Sequence, residues 1–507
     1  MPIRRPEIEH DMKAFALALV LFAAPVLAAP AATPPAGTSS AGPAAPAAAA
    51  PSVLKIPRGK VADKVVCAAR PDESYALYLP TGYTPAHAWP ILYVLDPRGR
   101  GTLAAERFRP GAQKYGYILA SSNNSMSDGP VEPNVEAMRA MWTDTHSRLK
   151  IDDHRVYSAG FSGTVRSCVT LARTVPGTIA GIIGAGAGFP FHEPPRKGDP
   201  FVFFGTLGDK DFNYYEVMDL EPKLAEAGIV HRIDIFDGIH QWPPEELATF
   251  ALGWMELQAM KVGTRAKDPV LIEDLWTRTM AQGKAAETAG DLFSAHRFYA
   301  AAAADFAGLR DAAPAAARAA ELAANPALQR DWKERQARIR RDEELLAGAP
   351  GILAAANPSD EPVTVAQVVA ALRIPELRAK AKNAPEPDER LSAQRVLNTL
   401  GVQTSYYLPQ AFDQQKKWYQ SIFVLSVAVE ISPENPFVWY TRAQAYAHKG
   451  DRKRALADLQ QSVDRGWKDM AALQQEEAFA PLRQDPEYQR ILLALTENLK
   501  PSSASQR

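Results

Sequence analysis

Between Lys60 and about Ala259, short runs of β-branched and aromatic residues alternate with stretches whose apolar positions recur at helical spacing. The runs predict strands at Tyr75–Leu79, Ile91–Leu95, Tyr117–Ala120, Arg155–Ala159, Ala180–Gly184, Pro200–Phe204 and Arg232–Phe236. The intervening stretches predict helices at Glu132–Leu149, Val165–Thr174, Tyr215–Ala227 and Pro244–Gln258. Strand and helix in alternation argue for the α/β class, with a mainly parallel sheet covered on both faces. The Pro-rich stretch from Gly188 to Asp199 is too short for an inserted lid, so any site on this sheet should be shallow and open.

Past Lys261 the strand signals stop and Ala-rich helical periodicity takes over, with Gly and Pro at the ends of short helices. Three windows fit a helix-turn-helix repeat of about 34 residues, the tetratricopeptide (TPR) spacing. One carries Trp439, Ala443, Tyr446, Gly450, Ala455, Leu459 and Ser462, just after Pro433. Another carries Ser421, Leu425 and Ala428, and a more distant one Gly283, Gly290, Ala295, Tyr299 and Ala302. Small residues let paired helices approach, and large ones fill the space between them. An irregular helical bundle is the competing expectation. The charged stretch Arg330 to Glu344 reads as a solvated helix face.

The N-terminal segment changes the picture of where the chain works. Met12-Lys13 precedes an apolar run from Ala14 to Ala24, and Val26-Leu27-Ala28 offers small residues where a signal peptidase cuts, so residues 1–28 read as a signal peptide. Glu7, Glu9 and Asp11 do not suit such a segment, which places the true start at Met12. Residues 29–52, almost all Ala, Pro, Gly, Ser and Thr, read as a solvated linker. A periplasmic or secreted protein is expected, or one held at a membrane if the segment is not cleaved. The expected domains are then 53–262 for the sheet and 263–507 for the helical repeats. With 57 Lys+Arg against 58 Asp+Glu the formal net charge is -1, which offers no basic field for nucleic acid. The two cysteines, Cys67 and Cys168, fit either a disulfide or two buried thiols, and no spacing suggests a metal or haem site.

Candidate chemistry lies at the ends of the predicted strands. In Gly160-Phe161-Ser162-Gly163 a serine stands on a turn between an apolar strand and a helix, the context of a nucleophile elbow. A serine needs a histidine to take its proton and a carboxylate to orient that histidine. His240, in Asp237-Gly238-Ile239-His240-Gln241-Trp242, follows the last strand, whereas His231 and His192 lack such a setting. For the acid, Asp211 in Gly208-x-x-Asp211 is favoured, with Asp209 as its competitor. The backbone N–H of Gly163 should stabilise an oxyanion, joined by that of Arg98, with Gly99 in reserve because Pro97 has no N–H. Asn123, Asn124, Tyr214 and Trp242 are candidates for lining the site.

These residues resemble the α/β-hydrolases, in particular the small lidless branch of dienelactone hydrolase-like enzymes and carboxylesterases. The resemblance covers about Lys60 to Ala259 and rests on the Ser162 elbow, the Asp211 turn and Gly238-x-His240-x-Trp242. It implies cleavage of an ester or related acyl substrate by a Ser162–His240–Asp211 triad, without cofactor or metal. The helical repeats would serve a protein partner. One departure is Thr164, where Gly-x-Ser-x-Gly has its second glycine. A serine peptidase and a catalytically inert scaffold are the alternatives.

Overall fold

A computed structural model describes residues 56–354 and 363–499. The signal segment, Met12, the linker and residues 53–55 lie outside the described residues. By internal packing the chain divides into two compact units, one ending at Gln336 and the other beginning at Ala337.

The first unit is built on eight strands: β1 Val61–Val66, β2 Ser74–Tyr78, β3 Trp89–Leu95, β4 Ile118–Ser122, β5 Ile151–Phe161, β6 Gly181–Ala185, β7 Val202–Gly208 and β8 His231–Phe236. Their order across the sheet is β1-β2-β4-β3-β5-β6-β7-β8. β2 runs antiparallel to β1 and β4, and every pairing from β4 to β8 is parallel. All seven strands expected from the sequence are present, with ends moved by a few residues. Strand β1, not expected, is an edge strand with an irregular register and several exposed positions, so its apolar pattern is weak.

Helices α1 Gly101–Tyr115, α2 Glu132–Arg148, α3 Gly163–Thr174, α4 Tyr214–Glu226 and α5 Glu245–Val262 connect the strands. Helix α1 was not legible because Pro110 and Gly111 interrupt its periodicity. Gly111 is there for packing: a Cβ on it would lie 2.8 Å from the Thr249 Cα on α5. One apolar layer, with Met141, Val165 and Leu224, covers one face of the sheet, and a second, with Phe108, Phe250 and Trp254, covers the other.

Three further helices belong to this unit: α6 Pro269–Thr288, α7 Leu292–Phe306 and α8 Ala313–Ala323. The sheet-bearing unit therefore runs past the boundary expected at 262/263. Leu275, Trp276 and Phe306 share an apolar layer with Trp254. Buried Asp305 on α7 accepts from Trp254 Nε1 at 2.7 Å and from Arg232 of β8 at 2.8 Å. The division between units falls within α9 Pro326–Ala354.

The second unit is all-helical. It contains α10 Val365–Ala371, α11 Ile374–Asn383, α12 Pro387–Val402, α13 Leu408–Gln414, α14 Trp418–Ile431, α15 Pro436–Lys449, α16 Arg452–Asp464, α17 Met470–Gln475 and α18 Pro486–Asn498. Helices α15 and α16 form a hairpin that turns at Gly450, whose φ of 84° caps α15, while the Asp451 side chain caps α16. Ala443, Ala455 and Leu459 are fully buried between them. No helix among the described residues is long and apolar enough to cross a membrane.

Candidate active site

Strand β5 ends at Phe161 and α3 begins at Gly163, so Ser162 bridges them with φ 55° and ψ −136°. A non-glycine residue at positive φ is strained and persists only where its surroundings fix it. Here Ser162 N–H donates to the Ala185 carbonyl of β6 at 2.8 Å. Gly160 makes the turn sterically feasible, since a Cβ on it would lie 2.6 Å from the Val165 nitrogen. Thr164, the departure from the expected glycine, does not crowd the turn. Its buried Oγ1 accepts from Phe161 N–H at 3.0 Å and lies 2.6 Å from the Leu95 carbonyl, stitching the elbow to β3.

His240 follows β8, and its Nδ1 lies 2.9 and 3.0 Å from the two carboxylate oxygens of Asp211. Asp211 is fully buried, and its Oδ1 also accepts the Asn213 N–H at 2.8 Å. Two glycines make room for this pair. A Cβ on Gly186 (φ 63°) would lie 2.9 Å from Asp211 Oδ2 and 3.0 Å from His240 Nδ1, and one on Gly208 would lie 2.4 Å from the Ile239 carbonyl oxygen. Asp209 is placed otherwise: it accepts Gly238 N–H at 3.0 Å and pairs with Lys210, a turn role. The His240 ring is 4.6 Å from that of Phe161, next to Ser162, and 4.1 Å from that of Phe212. Among the described residues Ser162 Oγ has no hydrogen-bond partner; such bonds often tighten only when substrate binds.

The oxyanion donors fall out differently from expectation. Gly163 N–H opens α3 and has no partner among the described residues. Arg98 N–H, however, donates to Asp96 Oδ1 at 2.9 Å, and Gly99 N–H to the Asp96 carbonyl at 3.1 Å. Neither N–H is left over for an oxyanion, because a buried carboxylate precedes them in the same turn.

The lining candidates are also corrected. Asn123 and Asn124 spend their side chains on the β1 and β2 edge, donating to the carbonyls of Asp63 at 3.1 Å and Asp72 at 3.0 Å. The residues that approach the elbow lie further along that loop: Ser127 Cβ would sit 2.7 Å from a Cβ on Gly163. Tyr214 is buried in the apolar layer beside Leu220 and Leu224. Trp242 is also buried, between Phe161 and Phe108 at ring distances of 5.5 and 5.6 Å, with its Nε1 donating to Asp96 Oδ2 at 2.9 Å.

Cys67 and Cys168 are separate, buried thiols. Burial pushes both up to about 12, with the Asp144 charge adding to the effect at Cys67. Among the described residues no group of three or more His, Cys, Asp or Glu side chains is placed to hold a metal ion.

The sheet order, the elbow after β5, the acid turn after β7 and the histidine loop after β8 define an α/β-hydrolase fold, followed by an all-helical region. Solved structures similar to this chain include an S-formylglutathione hydrolase from Staphylococcus aureus, 13% identical, with a TM-score of 0.29 over 36% of this chain and 90% of that one. A ferulic acid esterase is 17% identical, with a TM-score of 0.30 over 38% of this chain and 94% of its own. An esterase from the Planctomycetes species Thermogutta terrifontis is 13% identical, with a TM-score of 0.33 over 42% and 97%. No family model matches the chain, and no curated protein matches its sequence.

Proposed function

We propose that the chain is a serine hydrolase that cleaves carboxylic esters through an acyl-enzyme. The observation that carries this reading is a serine at positive φ after β5 and, at the same edge of the sheet, a histidine bonded to a buried carboxylate. His240 Nε2 takes the Ser162 proton as Oγ attacks the ester carbon. Asp211 holds the Nδ1–H tautomer, and Gly163 N–H stabilises the oxyanion. Collapse expels the alcohol, which leaves with the proton from His240. Water activated by the same histidine then frees the acid and restores Ser162.

The test is labelling with a fluorophosphonate, mapped by mass spectrometry, followed by turnover of nitrophenyl esters of increasing length and of peptides. Label on Ser162 with ester turnover supports the reading, and turnover of peptides alone would make the chain a peptidase. Ser162→Ala should abolish labelling and leave folding intact. His240→Ala should lower kcat by about 10^6-fold, as loss of a triad base does elsewhere, and Asp211→Asn, at about 10^4-fold, should cost more than Asp209→Asn. The inert scaffold is the second reading, favoured by the occupied Arg98 N–H; failure to label an intact protein would establish it.

Two parts of the reading concern place and partner. An exported location rests on the residues 1–28 segment, and gel mobility of the mature chain tests it. A TPR-type partner surface rests on the α15–α16 hairpin.

A further inference from the structure

The triad leaves unused a fully buried carboxylate at the same edge of the sheet. Asp96 follows β3 and His240 follows β8, yet Asp96 binds the histidine loop directly. Its Oδ2 accepts Trp242 Nε1–H at 2.9 Å, two residues beyond the catalytic base. Its Oδ1 accepts Arg98 N–H at 2.9 Å, and Arg100 closes on both oxygens at 2.9 Å through Nε and Nη2. Ser125 Oγ donates to its carbonyl at 2.8 Å, drawing in the loop after β4. Three of the loops surrounding Ser162 thus converge on one residue.

A buried ion persists only when paired and fully bonded. Burial by itself would raise the Asp96 carboxyl, but the bonds from Arg100, Trp242 and Arg98 outweigh it and hold the group below the usual carboxylate range. Trp242 has an apolar body packed between Phe108 and Phe161 and one polar atom, and Asp96 decides where that atom goes. The substitution Asp96→Asn would leave one acceptor oxygen where two are used. Trp242→Phe would keep an aromatic ring in the packed position and delete the donor.

We propose that Asp96 is a positioning residue for His240: through Trp242 it ties the histidine loop to the strand that flanks the nucleophile elbow. The catalytic part of this rests on the hydrolase reading above; the tether itself does not. It acts at a distance from the chemistry, where a small displacement of the base is costly.

The test uses the full chain with Asp96→Asn, Trp242→Phe and the double variant. Hydrogen exchange of residues 237–243 reads the tether without any need for activity. Exchange there should speed up at least tenfold in each variant while the exchange of β5 and β6 stays unchanged. Unchanged exchange in Trp242→Phe would overturn the tether whether or not the chain is an enzyme. The second readout is the ester kcat and KM per titrated Ser162. Each single variant should lower kcat about tenfold at constant KM, and the double variant should lose no more than the worse single. Losses that multiply, or a kcat equal to that of the parent, would overturn the positioning role. A parent that neither labels nor turns over would fell the hydrolase reading and leave the exchange result to decide the tether. If Asp96→Asn fails to fold, Trp242→Phe, which keeps the carboxylate and Arg100 together, decides alone.

Discussion

The hairpin α6–α7 and the hairpin α15–α16 have almost the same local sequence logic and opposite allegiances. Each turns at a glycine in the left-handed region, Gly290 with φ 79° and Gly450 with φ 84°, and each opens its second helix with a capping aspartate, Asp291 or Asp451. Both also bury one aspartate on that second helix. Asp458 pairs with Arg442 at 2.7 Å, inside its own hairpin. Asp305 instead pairs with Arg232 of the sheet and with Trp254 of α5. Periodicity makes a helical hairpin, and the partner of its buried charge tells which core it completes.

The largest break in this comparison should come from Asp305→Ala. It leaves the buried Arg232 guanidinium with Asp234 as its one remaining ion-pair partner among the described residues and the Phe250 ring 4.5 Å away, and removes the acceptor of a buried indole. Breaking a buried pair from one side costs about 3–5 kcal/mol. Thermal unfolding followed by ester turnover should show activity lost at a markedly lower temperature. An activity midpoint equal to the parent's would mean that α7 is not part of the sheet's core.

Asp458→Ala sharpens the contrast. The Arg442 side chain is 14% exposed against 2% for Arg232, so the charge left behind is better solvated and the cost should fall to about 2–3 kcal/mol. Helix content should melt earlier by circular dichroism, while fluorophosphonate labelling of Ser162 is unchanged. Loss of labelling at a temperature where the sheet is intact would join the two units functionally.

The same distinction marks what the sequence disclosed. Seven strands were legible: the central ones are short, largely apolar runs, as strands buried on both faces must be, and β8 at the edge shows instead the alternation of Ile233, Asp234 and Ile235. Ser162, His240 and Asp211 could be singled out as candidates because a serine-hydrolase chemistry would fix their order and their places at strand ends. The structure brings all three to one edge. What escaped depends on pairings distant in sequence. Trp242 reads as a lining aromatic until its bond to residue 96 is seen, whereas the Arg98 N–H is taken locally, by the aspartate two residues before it, a turn signal that Asp96-Pro97-Arg98 does carry. Gly186 lies in a Gly-Ala run with no motif, yet only a glycine there lets Asp211 meet His240. The domain boundary was misplaced for the same reason, since Asp305 and Arg232 are far apart in the chain.

The smallest expected effect is the most even-handed test. Gly290 and Gly450 each adopt positive φ, and a Cβ on either would meet nothing within 4 Å. Alanine at these positions therefore adds no clash, only backbone strain, set against the entropy that alanine removes from the unfolded chain. The net cost should be about 1 kcal/mol at both sites, because the local geometry is the same. What should differ is the transition that carries it. Gly290→Ala should lower the temperature at which ester turnover is lost, since α7 carries Asp305 into the sheet's core. Gly450→Ala should lower only a helical transition and leave the activity midpoint in place. Equal shifts of the activity midpoint in both variants would mean that the two units unfold as one, and the partners of Asp305 and Asp458 would then no longer mark a division between them.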